Sequence, residues 1–204
     1  MKSYAILAAV VLALPTTDGL SQIPEPVSRA GQCFIGSSAF MLFNALPVSP
    51  SFYQLNFGHW LTNRDVISLE AITWEYVAPL GIPWGPSYGS PDEKYPGSVK
   101  EYGIGLAYQR FLWNDLYTAI HALPLKQKYM DEAGQLIQNG FQLFMTFRVG
   151  YHIRILRDRF FVEPSIAATH WPINTRVPDE FASMERKWPN YFLFEPGLHL
   201  GVKF

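Results

Sequence analysis

Between residues 33 and 204 the chain falls into about eight segments in which residue character changes at every second position: 33–44, 52–61, 66–77, 101–112, 116–128, 141–155, 160–171 and 191–204. A period of two is the signature of a β-strand. About ten residues is also the length a tilted strand needs to cross a bilayer. In the last segment Phe192, Phe194, Pro196, Leu198, Leu200, Val202 and Phe204 share one face, and Leu193, Glu195, Gly197, His199, Gly201 and Lys203 share the other. Alternation alone leaves two solvents open, because an apolar face suits a protein core as well as lipid.

The connections narrow the choice. Leu61 to Asp65, Trp113 to Asp115 and Arg157 to Arg159 are short and rich in Asn and Asp, which tolerate tight turns. Between them come a Pro-containing link at 46–51 and longer connections at 78–100, 129–140 and 172–190. Short turns at one end and long loops at the other are what an up-and-down barrel requires.

The composition of the two faces favours lipid outside. From Phe141 onward one parity carries Leu143, Met145, Phe147, Val149, Tyr151, Ile153 and Ile155, and the other carries Gln142, Phe144, Thr146, Arg148, Gly150, His152 and Arg154. Polar faces elsewhere mix charged with small residues, as in Glu101, Gly103, Gly105, Ala107 and Gln109. Such a mixture suits a narrow lumen filled by its own side chains, whereas a soluble lipocalin-like barrel would place the apolar set inside. The expected fold is all-β, an antiparallel up-and-down transmembrane β-barrel of about eight strands. Trp60, Trp74, Trp113, Trp171 and Tyr191, near strand ends, are expected to form aromatic girdles. Two segments fit less well: 66–77 leaves Glu75 on the face opposite Glu70, Trp74 and Tyr76, and in 116–128, the worse case, His121 shares parity with Tyr117, Leu123 and Leu125 and Pro124 interrupts the ladder; a bulge would repair both.

The N-terminus supplies the address. Lys2 precedes an apolar run from Tyr4 to Leu14, too short to span a bilayer as a helix, and small residues follow before Gln22. Residues 1–21 read as a signal peptide, 22–32 as a short periplasmic segment and 33–204 as the barrel domain. A formal charge of −1 with no basic stripe argues against nucleic acid as a partner. Cys33 is the single cysteine, so it reads as a partly buried structural thiol.

The pattern resembles the small outer-membrane β-barrels of Gram-negative bacteria, the OmpA-like and OmpX-like group, over residues 33–204. Phe204, with Val202, Leu200 and Leu198 at alternate positions before it, is similar to the signal by which the barrel-assembly machinery recognises its clients. The resemblance implies that the chain is exported to the outer membrane, with its lipid and that machinery as partners.

Candidate chemistry lies in the lumen. Glu70, Glu101, Gln109, Arg148, His152, Arg154, Glu163, Glu195, His199 and Lys203 are expected to face inward as a polar network, because charges in a narrow interior need partners. A salt-bridged plug is the favoured reading, and a small-solute pore the alternative. The chain also resembles the barrels that deacylate lipid A, which use a His with a Ser two positions later. Here His59, His121, His152, His170 and His199 are followed by Leu61, Leu123, Arg154, Pro172 and Gly201, so the motif is absent. His170, near a loop end beside Trp171, reads as a rim residue, with Ser165 on the opposite face. No catalytic residue, cofactor or metal site is assigned. The loops at 78–100 and 172–190 are the places for a protein partner. In the latter, Phe181, Met184 and Trp188 have helical spacing and suit a helix capping the barrel mouth.

Overall fold

The structure, a computed structural model, describes residues 28–45, 51–79 and 94–204. The expected signal peptide at 1–21, residues 22–27 of the segment after it, residues 46–50 of the Pro-containing link and residues 80–93 of the first long loop lie outside the described residues. The strands are β1 (Cys33–Ser38), β2 (Tyr53–Trp60), β3 (Asp65–Tyr76), β4 (Ser98–Trp113), β5 (Leu116–Met130), β6 (Leu136–Tyr151), β7 (Ile153–Ile155), β8 (Phe160–Thr175) and β9 (Tyr191–Lys203). A 3-10 helix, Ala39–Ala45, follows β1, and a helix α1, Asp179–Glu185, precedes β9.

Every neighbouring pair is antiparallel, and β9 returns to pair with β1 from Phe34↔Lys203 to Ser38↔His199. β7 continues β6 past His152 and both lie against β8, so the nine strands make a closed ring of eight. Closure leaves no sheet edge. Phe204 adds a last rung, its N–H donating to the Cys33 carbonyl (2.9 Å) and its carbonyl accepting from the Cys33 N–H (3.1 Å).

Short turns gather at the end that also holds both ends of the ring. Asn114 and Asp115 have φ of 42° and 66°, the two left-handed residues of a tight hairpin whose twist matches its strands. At the 61–64 turn the Thr62 hydroxyl accepts from the N–H groups of Arg64 and Asp65 (both 3.0 Å) and donates to the Asp65 carboxylate (2.6 Å). The opposite end carries the long connections and α1.

Segment boundaries moved where the apolar pattern was ambiguous. β1 stops at Ser38, and the Ala-Phe-Met-Leu-Phe-Asn-Ala stretch turns into helix, with Phe40 packing on Phe43 and Phe52 at 4.8 Å. β5 and β6 extend towards each other and leave only residues 131–135 between them. Pro124 needs no bulge: it sits opposite Leu143 in unbroken register with β6, and His121, Leu123 and Leu125 all point inward. The lumen therefore accepts leucines as well as polar groups.

Register shifts occur at Phe111/Trp113, Tyr129/Met130 and Leu143/Met145, and another, in the last strand, changes the facing of its residues. Ala167 pairs with Glu195 and Ala168 with Leu193, so Phe194 is extruded at φ 62° and 74% exposed. That extra residue reverses parity upstream and places Phe192 opposite Thr169, on the lumen side, away from the face of Leu198 and Leu200.

Candidate functional site

Four layers of side chains stack through the lumen. At the turn end is an aromatic floor: Trp60 stacks on Phe111 (4.7 Å between centroids), Phe34 meets Phe161 edge-on (5.2 Å), and His152 stacks on Phe161 (4.9 Å). Arg29, from the segment before β1, lays its guanidinium 4.9 Å from the Trp60 centroid and 5.1 Å from Phe111, and pairs with Asp115. Lys203 reaches Asp158 at 2.5 Å and lies 5.4 Å from the Trp60 ring.

Above the floor is the polar layer. Glu70 bonds His121 Nδ1 (2.9 Å), and Glu163 bonds His152 Nδ1 (2.7 Å) and accepts from Gln109 Nε2 (3.1 Å). Arg148 donates from Nη1 to Ser165 Oγ (2.8 Å) and lies 3.5 Å through Nη2 from Glu195. A Cβ on Gly197 would stand 1.9 Å from Arg148 Nη1, so only glycine lets the guanidinium cross this wall. Asn56, Glu70, His121, Arg148, Glu163 and His199 are among the residues around a cavity of about 30 Å³, room for one or two waters.

Next comes an apolar layer of Ile72, Leu123 and Leu125, packed against Phe52, Trp74 and Phe144. At the loop end Glu101 accepts from the Tyr76 hydroxyl (2.9 Å) and Gln127 Nε2 (2.7 Å), and Phe181 of α1 is buried against Tyr95 and Tyr129.

Arg154 stands apart from the layers. It lies beyond His152, half exposed at the turn end, and binds Asp115 at 3.0 Å. Asp115 is thus held by two arginines. Burial pushes its carboxyl up, but the hydrogen bond and charge of Arg29, then Arg154, outweigh burial and hold it below its ordinary value of 3.8. Because the folded value is the lower one, this contribution to stability is present above the ordinary value and is lost as pH falls through the folded one. Asp115→Asn is expected to lower the melting temperature at pH 7, with the gap to the parent closing below about pH 4. A gap that persists unchanged in acid would assign the loss to the turn backbone.

Sequence parity alone missed His121, the partner of Glu70, because it was set against the leucines of its own strand. It also missed Arg29, which belongs to the barrel floor although it precedes the first strand. Of the five expected girdle aromatics, Trp60, Trp74 and Trp171 point inward as lumen packing, while Trp113 and Tyr191 stay exposed at opposite ends. Tyr108 and Tyr151 join Trp113 near the turn end, and Tyr53 and Tyr102 join Tyr191 near the loop end, all more than a third exposed. Cys33 faces outward near the turn end, its Sγ 3.2 Å from His59 Nδ1. His170 bonds the Asn190 carbonyl (2.9 Å), and Ser165 is engaged by Arg148 inside.

The outer surface decides the solvent. Ile35, Leu55, Phe57, Leu69, Ile104, Leu106, Phe147, Val149, Ile166, Leu198 and Leu200 project outward from strands all round the ring, each 42–60% exposed. A continuous apolar belt of that kind is far larger than a soluble monomer presents to water. The chain is an outer-membrane-type β-barrel. Glu70, Glu101, Arg148 and Glu163 are turned in, and the belt residues are turned out to hydrocarbon.

No protein-family model and no curated protein matches this chain. Among solved structures it is similar to Ail, the attachment invasion locus protein of Yersinia pestis, in complex with the heparin analogue sucrose octasulfate, at 13% identity over 86% of this chain and 99% of that one, with a TM-score of 0.45. It is similar to the N-terminal β-barrel domain of Pseudomonas aeruginosa OprF at 11% identity, covering 86% and 98%, with a TM-score of 0.40. It is also similar to Neisserial surface protein A, NspA, at 10% identity, covering 85% and 94%, with a TM-score of 0.43. The closed ring and its apolar belt carry the architecture independently of these likenesses.

Proposed function

We propose that the protein is a non-enzymatic barrel of the outer membrane, structural or partner-binding in role, whose long loops face outward to meet the partner and whose lumen is plugged by its own side chains. The contact from Gln109 on β4 to Glu163 on β8 carries this reading. Those strands are not neighbours, so the bond is a strut across the lumen, and Glu163 is tied at the same time to His152. Eight strands enclose an interior just wide enough for side chains, and paired charges there brace the wall.

Planar-bilayer recording on the purified protein tests the plug. The expected trace has no unitary conductance steps; regular steps in dilute salt would make the protein a pore. A mass spectrum of lipid A from membranes with and without the protein tests the non-enzymatic half, and loss or gain of an acyl chain would overturn it. The partner surface is assigned to the loops at 78–100 and 172–190, the first of which lies largely outside the described residues.

Phe204 has two roles in this reading, as the assembly signal with Val202 and Leu200 and as the final rung of the seam. Deleting it removes both backbone bonds to Cys33. Outer-membrane levels of the truncated chain are expected to fall several-fold in quantitative blots. Parental levels would detach assembly from this residue.

A further inference from the structure

The outer face of the wall carries a group of lysines at the loop end of β4 and β5. Val99, Glu101, Leu125, Gln127 and Tyr129 are buried inside the ring, so Lys100, Lys126 and Lys128, which alternate with them, project to the lipid side. Strand pairing gathers them on two adjacent rungs: Lys100 stands directly opposite Lys128, and Lys126 opposite Tyr102. Lys128 leans back over the Tyr102 ring, its Nζ 5.5 Å from the centroid. On the flanking strands the same rungs present Glu75 and Thr73 from β3 and Asn139 and Phe141 from β6. Among the described residues Lys100, Lys126 and Lys128 form no ion pair. Glu75, the acid on these rungs, is bonded instead by the Ser98 hydroxyl at 2.7 Å. Like charges directly opposite each other on paired strands are destabilising, so Lys100 and Lys128 call for an anion between them.

Their height fixes what they meet. Along β4 the outward residues run Lys100, Tyr102, Ile104, Leu106, Tyr108, Arg110. From Lys100 to Arg110 the strand is about 33 Å long, or about 25 Å along the membrane normal at a ~40° tilt, which is the height of the apolar band of such a barrel. Lys100 and Arg110 therefore mark its two borders, with hydrocarbon over Ile104 and Leu106 between them. The borders differ in one respect. Arg110 is held by Asp65 at 2.7 Å, and the lysines at the loop end have no such partner. With the long loops facing outward, that border is the outer leaflet, where the phosphates of lipid A lie.

We propose that Lys100, Lys126 and Lys128, with Tyr102 beneath Lys128, form a docking site for the phosphate-bearing headgroup of lipid A, whose acyl chains run down over Ile104 and Leu106. Ammonium groups on flexible stems approach a phosphate as point charges from several directions, and a phosphate between Lys100 and Lys128 turns their repulsion into a bridge. The apolar wall below selects a lipid over a soluble phosphate, which would meet the charges and leave that wall uncovered. The site holds lipid A without altering it. It rests on the outward placement of the loops proposed above, and not on the plug or on a protein partner.

Native mass spectrometry of the full chain, purified in detergent with divalent cations removed, tests the site by titration with phosphorylated lipid A and with the same lipid stripped of phosphate. The parent is expected to bind the phosphorylated form roughly tenfold or more tightly. Lys100→Gln, Lys126→Gln and Lys128→Gln together should remove most of that preference. Arg64→Gln, Arg157→Gln and Arg159→Gln together, an equal change of charge at the turn end, should keep it. Equal binding of the two lipids by the parent, or equal loss in the two triple variants, would overturn the site. The comparison of lipids needs no variant, so it decides the matter even if the lysine variant fails to fold. The phosphorylated disaccharide without acyl chains forms a further arm: binding as tight as that of the whole lipid would make the ligand a soluble phosphate and overturn the lipid assignment. Orientation is read separately, by labelling Ala133→Cys in the β5–β6 turn with an impermeant maleimide on intact cells, the parent serving as control. Absence of labelling overturns the outward loops and this assignment with them, whereas labelling without a phosphate preference overturns this assignment alone.

Discussion

Gly105→Val is expected to leave the barrel unassembled, the largest effect of any single substitution considered. A Cβ at this position would stand 2.2 Å from the Ala122 carbonyl oxygen and 2.8 Å from the Leu123 Cα, both backbone atoms of the neighbouring strand. Side chains can turn away from an added methyl, but a strand in a closed ring cannot, because moving it breaks register on its other side. Overpacking ordinarily costs about 1–3 kcal/mol, and a backbone clash in a ring exceeds that range. Gly103 is in the same position, 2.2 Å from the Pro124 carbonyl oxygen. This close approach also shows how Pro124 is tolerated: two glycines opposite let β4 and β5 run together where the proline contributes no donor. The check is the heat-modifiable shift on a gel after refolding into detergent. A full-strength folded band for Gly105→Val would mean that β5 can move outward at this point.

Arg148→Ala is expected to lower the unfolding free energy by about 2 kcal/mol. Breaking a buried ion pair from one side costs ~3–5 kcal/mol, and the partly exposed Glu195 carboxylate calls for a discount. The loss has two sources. Glu195 loses its 3.5 Å partner and Ser165 its 2.8 Å donor, while the space over Gly197 is left unfilled. A double replacement separates them. Arg148→Met with Glu195→Gln fills the space and removes both charges, and it is expected to recover much of the stability that Arg148→Ala loses. Urea unfolding in liposomes measures both. An unchanged midpoint for Arg148→Ala would show that the polar layer does not brace the wall.

Most of the wall was legible before any coordinates. Tight turns at 61–64, 114–115 and 156–159 are marked by Asn, Asp and Thr, whose short side chains bond the backbone or accept a left-handed φ, and that chemistry is local. Facing was legible wherever the period ran without interruption, as along β4 from Glu101 to Gln109. It failed at Phe194, because one inserted residue changes no composition yet reverses every side chain on one side of it. It failed in another way for Trp60, Trp74 and Trp171, whose place near strand ends suited a lipid girdle although their parity pointed inward.

The candidate site was legible only as an inventory. Glu70, Glu101, Gln109, Arg148, Glu163 and Glu195 stand on the inward parity of their strands, and nothing local says which of them meet. Gln109 and Glu163 are 54 positions apart, and Tyr95 and Glu185 are 90 apart, brought together because the ring closes and α1 folds over its mouth. Alternation, turn chemistry and segment length are properties of neighbours along the chain, so the sequence by itself determined the strands, their number and the apolar outside. Pairing across the lumen, the extruded Phe194 and the seating of Phe181 among tyrosines depend on ring radius and strand stagger, which exist only once β9 has hydrogen-bonded to β1.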